Sequence, residues 1–168
     1  MSLQGILYVV ATPIGNLADI TLRAIETLKT ADIVVAESTA RAMKLFARHG
    51  IKNTIVTVSS YNEERRSASL IRSLKAGKNI ALITSAGTPC ISDPGNVLVN
   101  KCIEENIEVC PIPGANAAVS LVSISGLFAD RSFFYGFPPF HRANPTTPCR
   151  DLSAFPCRTS FYEPPGGT

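Results

Sequence analysis

Short apolar runs alternate with amphipathic stretches along the first 136 residues of the chain. Residues 6–10 form a continuous apolar run of strand length, which is typical of a strand that is buried on both faces of a sheet, and four further segments are predicted as strands. Between them, apolar residues recur at helical spacing. The pattern predicts an α/β fold with a mostly parallel five-stranded sheet and helices on both faces. The predicted strands are residues 6–10, 33–36, 54–58, 80–83 and 107–110, and the predicted helices are residues 21–31, 40–49, 62–77, 93–106 and 115–125.

Polar residues and glycines mark several of the helix ends. The second helix is predicted to stop at Gly50, because glycine is favoured directly after a helix C-terminus. Asn62 is a candidate N-cap, and Glu63 follows it in the first turn, where the helix dipole favours a negative charge. Asp93 and Pro94 are predicted as the N-cap and the first position of the fourth helix.

The composition changes near Phe137, just after a last predicted strand at residues 133–135. Seven of the twelve prolines follow this point. Proline lacks a backbone donor and restricts the residue before it, so this part of the chain cannot be mostly helix or central strand. We therefore expect an N-terminal domain at residues 1–137. Residues 138–168 are expected to form a linker and the start of a truncated, incomplete second α/β domain.

Composition and charge exclude several classes of protein. With 45% hydrophobic and 17% charged residues among 168, the chain is not a disordered tail. The longest uncharged stretch, residues 109–129, is interrupted by prolines, glycines and serines, so we expect no membrane span. The N-terminus has no basic region followed by a hydrophobic block, so we expect no secretory signal. The net charge of +3 is too small to indicate a nucleic-acid binder. Five cysteines without a C-x-x-C pair predict reduced thiols in a cytoplasmic protein.

Three loops rich in glycine and proline follow the first, fourth and fifth predicted strands. We call residues 12–19 loop 1, residues 84–95 loop 2 and residues 111–117 loop 3. Ligands bind at the carboxyl ends of parallel strands, so the three loops should meet at one edge of the sheet. Glycine lets a ligand approach the backbone closely, and proline stiffens a loop. The loops predict a preorganised, uncharged cradle of backbone N–H and C=O groups; the alternative for each loop is a plain tight turn.

Several familiar motifs are absent from the sequence, and their absence narrows the choice of ligand. No G-x-G-x-x-G follows the first strand, no G-x-x-x-x-G-K-[ST] is present, and the three loops contain no lysine. A neutral or zwitterionic ligand is therefore favoured over a dinucleotide or a triphosphate. No H-E-x-x-H or His/Cys cluster occurs, so no metal is expected. The G-x-S-x-G motif is also absent, so the sequence does not support a hydrolase. His49 and His141 stand apart and are expected at the surface.

The three loops, in this order, resemble the tetrapyrrole methylase superfamily, the class III S-adenosylmethionine-dependent methyltransferases. Within the superfamily, the resemblance is greatest to the branch that methylates a cytidine ribose at its 2′-oxygen in bacterial small-subunit ribosomal RNA. It covers roughly residues 5–138 and is specific, because several long motifs coincide in order. The matching stretches are residues 7–24, 86–95 and 111–117, with shorter ones at residues 126–127, 135–138 and 161–163.

The resemblance implies two α/β domains with S-adenosylmethionine in the cleft between them, in a cytoplasmic homodimer. It also implies small-subunit rRNA, or the ribosomal subunit itself, as the substrate. Ten residues of the three loops are assigned by it to the cofactor. They are Pro13, Gly15 and Asn16 in loop 1, Gly87, Thr88, Pro89 and Ser92 in loop 2, and Pro113, Gly114 and Ala115 in loop 3.

Two carboxylates that the family commonly has near this cleft are replaced here. The family commonly reads Glu-Asp-Thr-Arg after its second strand, where residues 37–41 read Glu-Ser-Thr-Ala-Arg. It commonly reads Ser-Asp-Ala-Gly-Thr-Pro at the start of loop 2, where residues 84–89 read Thr-Ser-Ala-Gly-Thr-Pro. We also expect most of the second domain, which supplies part of the cofactor and RNA sites in family members, to be missing.

Methyl transfer to a ribose hydroxyl calls for a group that helps to remove the proton of this weak nucleophile. Glu37 and Glu63 are the candidate catalytic residues, because both stand at strand ends; a helix cap or an ion pair is the alternative for each. Contacts to RNA are expected from Arg23, Arg41, Arg65 and Arg66. For Arg65 and Arg66, the alternative is a solvated helix face.

Two other interpretations stay open beside an rRNA ribose methyltransferase. The first is a corrin or porphyrin methyltransferase of the same superfamily. Such enzymes usually have a first loop that is richer in glycine and reads Gly-Asp-Pro, whereas residues 12–16 here read Thr-Pro-Ile-Gly-Asn. The second is a non-catalytic dimeric fragment, which the short second domain and the two replaced carboxylates favour.

Overall fold

The computed structural model describes residues 4–59, 61–126, 132–137 and 158–161. The chain divides into two compact units, residues 1–116 and residues 117–168. In the first unit a five-stranded sheet has the strand order β3-β2-β4-β1-β5, and all neighbouring strands are parallel. Its strands are β1 Leu7–Val10, β2 Ile33–Ala36, β3 Ile55–Thr57, β4 Ile80–Ile83 and β5 Val109–Ile112. Its helices are α1 Leu22–Thr30, α2 Thr39–His49, α3 Glu63–Lys75 and α4 Asn96–Glu104.

The sheet separates two hydrophobic cores. Successive strand residues point to opposite faces, so Val34 and Val35 belong to different cores although both are fully buried. One core joins the sheet to α1 and α2, through residues such as Leu28 and Leu45. The other joins it to α3 and α4, through residues such as Leu74. The predicted parallel sheet with helices on both faces is confirmed, and β2 and β4 have the predicted bounds.

Strand β5 begins two residues later than predicted. Ile107 is buried like a strand residue, but its N–H donates to the Cys102 carbonyl 2.8 Å away and closes the end of α4. The strand continues instead through Pro111 to Ile112. Proline is tolerated there because β5 stands at the end of the strand order and pairs with β1 alone among the described strands.

The prediction that Asp93 and Pro94 begin the fourth helix is wrong. Helix α4 begins at Asn96 with Gly95 as its N-cap, and Gly95 has a φ of 127°. The Asp93 carboxylate instead accepts a hydrogen bond from the Thr84 hydroxyl, 3.4 Å away. By contrast, the predicted end of α2 is confirmed, because Gly50 is its C-cap in a left-handed conformation with a φ of 61°.

The second unit contains helix α5 Ala117–Ile124 and strands β6 Ser132–Gly136 and β7 Arg158–Phe161. The two strands pair in parallel, with a shift of register between Phe134 and Gly136. Strand β6 confirms the strand predicted at residues 133–135. Most of the predicted linker, residues 138–157, lies outside the described residues, and the domain boundary at residue 137 stays a prediction. Within the described ranges, no helix is both long and apolar enough to cross a membrane.

Candidate ligand-binding site

Loops 1 and 2 leave the sheet in opposite directions from neighbouring strands. Strand β1 leads through loop 1 to α1 on one face, and β4 leads through loop 2 to α4 on the other face. Because β1 and β4 are adjacent in the sheet, the two loops diverge at a topological switch point of the carboxyl edge. Parallel α/β sheets bind their ligands at such a point.

Hydrogen bonds and close packing hold the three loops together. The backbones of Thr12 and Gly87 exchange two hydrogen bonds of 2.9 and 3.0 Å, which join loop 1 to loop 2. The Thr88 hydroxyl donates to the Ala115 carbonyl at 3.3 Å and joins loop 2 to loop 3. A Cβ on Gly114 would lie 3.0 Å from the Cβ of Ala11, at the end of β1. The expectation that the loops meet at one edge is therefore confirmed.

Loop 2 has a strained backbone. Gly87 and Gly95 have φ values of 79° and 127°, which glycine adopts freely. Cys90 and Ser92 have φ values of 69° and 57°, although neither is a glycine. A side chain in this left-handed region costs about 1–2 kcal/mol, so the surrounding contacts must hold the loop in this shape.

The ten residues assigned to the cofactor differ in exposure. Five of them present backbone or side-chain atoms to solvent, two are half-buried, and three are buried at the base of the loops. The exposed ones are Gly15, Asn16, Ser92, Pro113 and Gly114, the half-buried ones are Thr88 and Ala115, and the buried ones are Pro13, Gly87 and Pro89. The three loops thus combine a rigid base with exposed backbone, and the cofactor role of these residues stays a prediction.

Two carboxylates stand beside the start of loop 2. Glu37, directly after β2, accepts a hydrogen bond from the Ser85 hydroxyl. Asp93 accepts one from Thr84. Burial raises the pKa of Asp93, the charge of Glu37 raises it further, and the hydrogen bond from Thr84 opposes this shift. The pair is therefore close enough for the charge of one carboxylate to affect the other.

Serines occupy the two positions where the family commonly has aspartate, and each makes a hydrogen bond of its own. Ser85 donates to Glu37, as described above. The hydroxyl of Ser38 accepts the N–H of Arg41, 3.4 Å away, and caps α2. The importance of the Ser85 hydroxyl was not predicted, because the pairing depends on the adjacency of β2 and β4.

Glu63 faces the other end of loop 2. It is 7% exposed, and its Oε1 accepts the backbone N–H groups of Gly95 and Val97 at 3.0 and 3.1 Å. Burial, together with the charges of Glu63 and Asp93, raises the pKa of the Cys90 thiol to about 11. This geometry is that of the helix cap considered as the alternative for Glu63, and its role as a base stays a prediction.

A small pocket, about 40 Å³ in volume, lies between loop 1, the end of β4 and helix α2. Thr84 and Ser85 line it, and Arg41 stands at its wall. Arg23, Arg41, Arg65 and Arg66 are all exposed. The two ion pairs between described residues, Lys75 with Glu105 and Lys101 with Glu64, use none of these arginines. Their guanidinium groups are therefore available at the surface.

His49 reaches loop 1 from the last turn of α2, because its Nε2 lies 2.8 Å from the Leu17 carbonyl. His141, the other histidine that was expected at the surface, lies outside the described residues. Among the described residues, no group of three or more His, Cys, Asp or Glu side chains is placed to hold a metal ion. Cys90, Cys102 and Cys110 are free thiols, and the remaining two cysteines lie outside the described ranges.

The fold and the joined loops define an α/β domain in which three loops meet at the carboxyl edge of a parallel sheet. A model of the tetrapyrrole (corrin/porphyrin) methylase family matches residues 6–136. The chain belongs to this family.

Several curated relatives share a name, ribosomal RNA small subunit methyltransferase I. The protein from Haemophilus influenzae is 50% identical over 137 residues, which are 82% of this chain and 48% of that protein. The protein from Synechocystis is 51% identical over 134 residues, which are 80% of this chain and 48% of that one. The protein from Buchnera aphidicola (strain APS) is 43% identical over 159 residues, 95% of this chain and 56% of its own. The chain spans about half the length of the curated relatives it matches.

Solved structures with little sequence identity share the fold. A diphthine synthase superposes with a TM-score of 0.70 at 17% identity, over 97% of this chain and 66% of that one. The cobalamin biosynthetic enzyme cobalt precorrin-4 methyltransferase superposes with a TM-score of 0.69 at 15% identity, over 94% of this chain and 68% of that one. At this identity the likeness supports the fold alone.

Proposed function

We propose that the chain is the N-terminal domain of an S-adenosylmethionine-dependent methyltransferase that modifies small-subunit ribosomal RNA at the 2′-oxygen of a cytidine ribose. The observation that carries the proposal is the joining of three loops at the carboxyl ends of β1, β4 and β5. The names of the curated relatives support the substrate, since they are 42–51% identical to this chain. The cytoplasm as location and a homodimer as assembly belong to the same proposal.

The loops fit a zwitterionic cofactor that carries a sulfonium group. A Cβ on Gly15 would have no atom within 4 Å, and one on Gly87 would meet only a methyl group of Ile14, at 3.5 Å. A ligand atom therefore has room beside the backbone at both glycines. The carboxylates of Glu37 and Asp93 attract a permanent cation, while exposed N–H groups suit a carboxylate. No cationic side chain of the loops opposes the sulfonium.

The residues assigned to the cofactor would hold it mainly through their backbones. Gly87, Thr88 and Pro89 would bind its methionine part, while Gly15 and Gly114 would form opposite walls. When bound, S-adenosylmethionine supplies an activated methyl group for an in-line displacement. The chain supplies alignment, because the hydrogen bonds between the loops fix their spacing before a ligand arrives.

Glu37 is the better placed of the two candidate proton acceptors. It stands after β2 beside the small pocket, and its carboxylate already accepts the proton of the Ser85 hydroxyl in a hydrogen bond. An incoming ribose hydroxyl could replace Ser85 as the donor. Arg41 at the wall of the same pocket would hold a neighbouring phosphate. In this proposal, the proton acceptor and the phosphate contact would lie on the same side of the site.

Isothermal titration of the 168-residue chain with S-adenosylmethionine and S-adenosylhomocysteine tests the cofactor site. We expect saturable binding at one site. Thr88→Val should weaken it about tenfold by removing the hydroxyl that joins loops 2 and 3. Thr30→Val is the matched control, since the Thr30 hydroxyl bonds only within α1, to the Glu26 carbonyl. A folded chain that binds neither compound would contradict the proposal that these loops form the cofactor site.

Transfer of a labelled methyl group to unmodified small ribosomal subunits tests the reaction. At saturating cofactor, Glu37→Gln should lower the rate at least about 100-fold, because the amide cannot accept a proton. Ser85→Ala, which keeps the carboxylate, should retain most of the activity. Methylation of an added tetrapyrrole in place of rRNA would instead support a corrin or porphyrin methyltransferase. Cofactor binding with methylation of neither substrate would support the non-catalytic fragment.

A further inference from the structure

Helix α4 receives its N-terminal cap from another helix. Its own N-cap, Gly95, has no side chain to offer, and Asp93 bonds to Thr84 instead. The N–H groups of Gly95 and Val97 donate to Oε1 of Glu63, at 3.0 and 3.1 Å. Glu63 is the first residue of α3, and it brings a negative charge to the positive end of the α4 dipole. A single buried oxygen thus satisfies two N–H groups that the helix cannot satisfy itself.

The cap also fixes the end of loop 2. The start of this loop is held by the hydrogen bonds between Gly87 and Thr12. Its end is held at Gly95, where a Cβ would lie 2.7 Å from a Leu82 methyl carbon. The two left-handed residues Cys90 and Ser92 lie between these points. Strained backbone of this kind persists only where the surrounding contacts hold it.

We propose that Glu63 is a positioning residue, which holds loop 2 in its strained shape by accepting the Gly95 and Val97 N–H groups. The inference rests on the proposed function, because loop 2 carries four of the residues assigned to the cofactor. Glu63 acts through the backbone of loop 2 and takes no proton from the substrate.

The geometry separates this role from that of a base. Both hydrogen bonds end on Oε1, so the amide oxygen of a glutamine can replace it. Aspartate keeps the charge and the basicity, but it is one methylene shorter and cannot reach both N–H groups. A positioning residue therefore tolerates Glu63→Gln and not Glu63→Asp, whereas a general base loses its function in Glu63→Gln.

Amide hydrogen exchange, followed by NMR on the ligand-free chain, is the direct test. In Glu63→Ala and Glu63→Asp, the amides of Gly95, Val97 and Gly87 should exchange at least about tenfold faster than in the wild type. In Glu63→Gln they should stay within about threefold. Glu64→Ala is the matched control, because Glu64 is exposed and pairs with Lys101 instead. Leu70→Ala, which removes buried apolar surface from the same helix, controls for a general loss of stability.

Titration of the same proteins with S-adenosylmethionine links the loop to the ligand. The dissociation constant should rise at least about tenfold in Glu63→Asp and Glu63→Ala and should be preserved in Glu63→Gln. If the alanine variant does not fold, the aspartate and glutamine variants decide the question. Equal exchange in wild type and Glu63→Asp, or fast exchange in Glu63→Gln, would overturn the inference. A wild-type chain that binds no cofactor would overturn the proposed function, and the exchange rates would still decide the role of Glu63.

Discussion

Thr12 in loop 1 and Gly87 in loop 2 exchange two backbone hydrogen bonds, at 2.9 and 3.0 Å. Thr12 follows β1 and Gly87 belongs to the loop after β4, so the bridge spans the point where the chain turns to opposite faces of the sheet. The Thr12 hydroxyl adds a third link, because it donates to the Thr84 carbonyl at 3.4 Å. The two loops therefore form one rigid wall.

Gly87→Ala should separate the binding role of this glycine from its backbone role. The φ of 79° costs an alanine about 1–2 kcal/mol of stability. Gly50→Ala is the matched control, since Gly50 has a φ of 61°, lies in open space and belongs to none of the three loops. Both variants should lose similar stability in urea unfolding. Only Gly87→Ala should weaken cofactor binding in titration, by about tenfold or more, and equal affinities for the two would contradict the site.

Ser67→Ala should make the protein more stable. The Ser67 hydroxyl is fully buried in α3 and has no hydrogen-bond partner among the described residues. A buried, unsatisfied hydroxyl costs about 1–3 kcal/mol, so its removal should raise the free energy of unfolding by about 1–2 kcal/mol. Ser69→Ala, at an exposed position of the same helix, corrects for the helix propensity of alanine. A loss of stability in Ser67→Ala, measured by urea unfolding, would contradict the conclusion that the buried Ser67 hydroxyl is unsatisfied.

Asp93→Asn should change how stability depends on pH. The pKa of Asp93 is raised by burial and by the charge of Glu37. The folded state therefore favours the protonated carboxyl, and stability is lost as the pH rises from the ordinary value of 3.8 through the raised pKa. Since asparagine carries no charge, the variant should be more stable than the wild type at pH 7. The difference should shrink below pH 3.8, whereas a difference that does not vary with pH would exclude this cause.

Cys102→Ala should reduce the loss of stability at alkaline pH. Burial raises the pKa of the Cys102 thiol from 9.0 to about 11, so the folded state resists its ionisation. Wild-type stability should therefore fall as the pH rises between 9 and 11. Urea unfolding at several pH values should give a shallower decline for Cys102→Ala. Leu98→Ala, at another buried position in the same helix, should be less stable but retain the wild-type slope.

The sheet could be predicted because its signals are local. Strands β1, β2 and β4 are short apolar runs, and Gly50 ends α2 through its own backbone conformation. The start of α4 could not be predicted, because its cap comes from Glu63, which lies 32 residues before Gly95. The Asp93-Pro94 pair has the composition of a helix start, and only the tertiary partner shows that Asp93 serves Thr84 instead.

The candidate site, too, could be predicted only in part. Glycine and proline content indicated the three loops, and they were expected to meet because parallel strands end at one edge of the sheet whatever their order. The hydrogen bond between Glu37 and Ser85 depends on β2 lying beside β4, which the sequence does not state. The small pocket at Arg41 likewise requires the packing of α2 over that edge.

The strand order has a consequence for the growing chain. Strand β1 is synthesised before the other four strands of its sheet, yet its neighbours are β4 and β5, so Leu7 pairs with Ile80 on one side and with Val109 on the other. Until both have been synthesised, β1 is an apolar segment with two unpaired edges, open to association with other chains. Nascent chains that end before β5 should therefore depend on chaperones, and protection from proteolysis should arise late in synthesis.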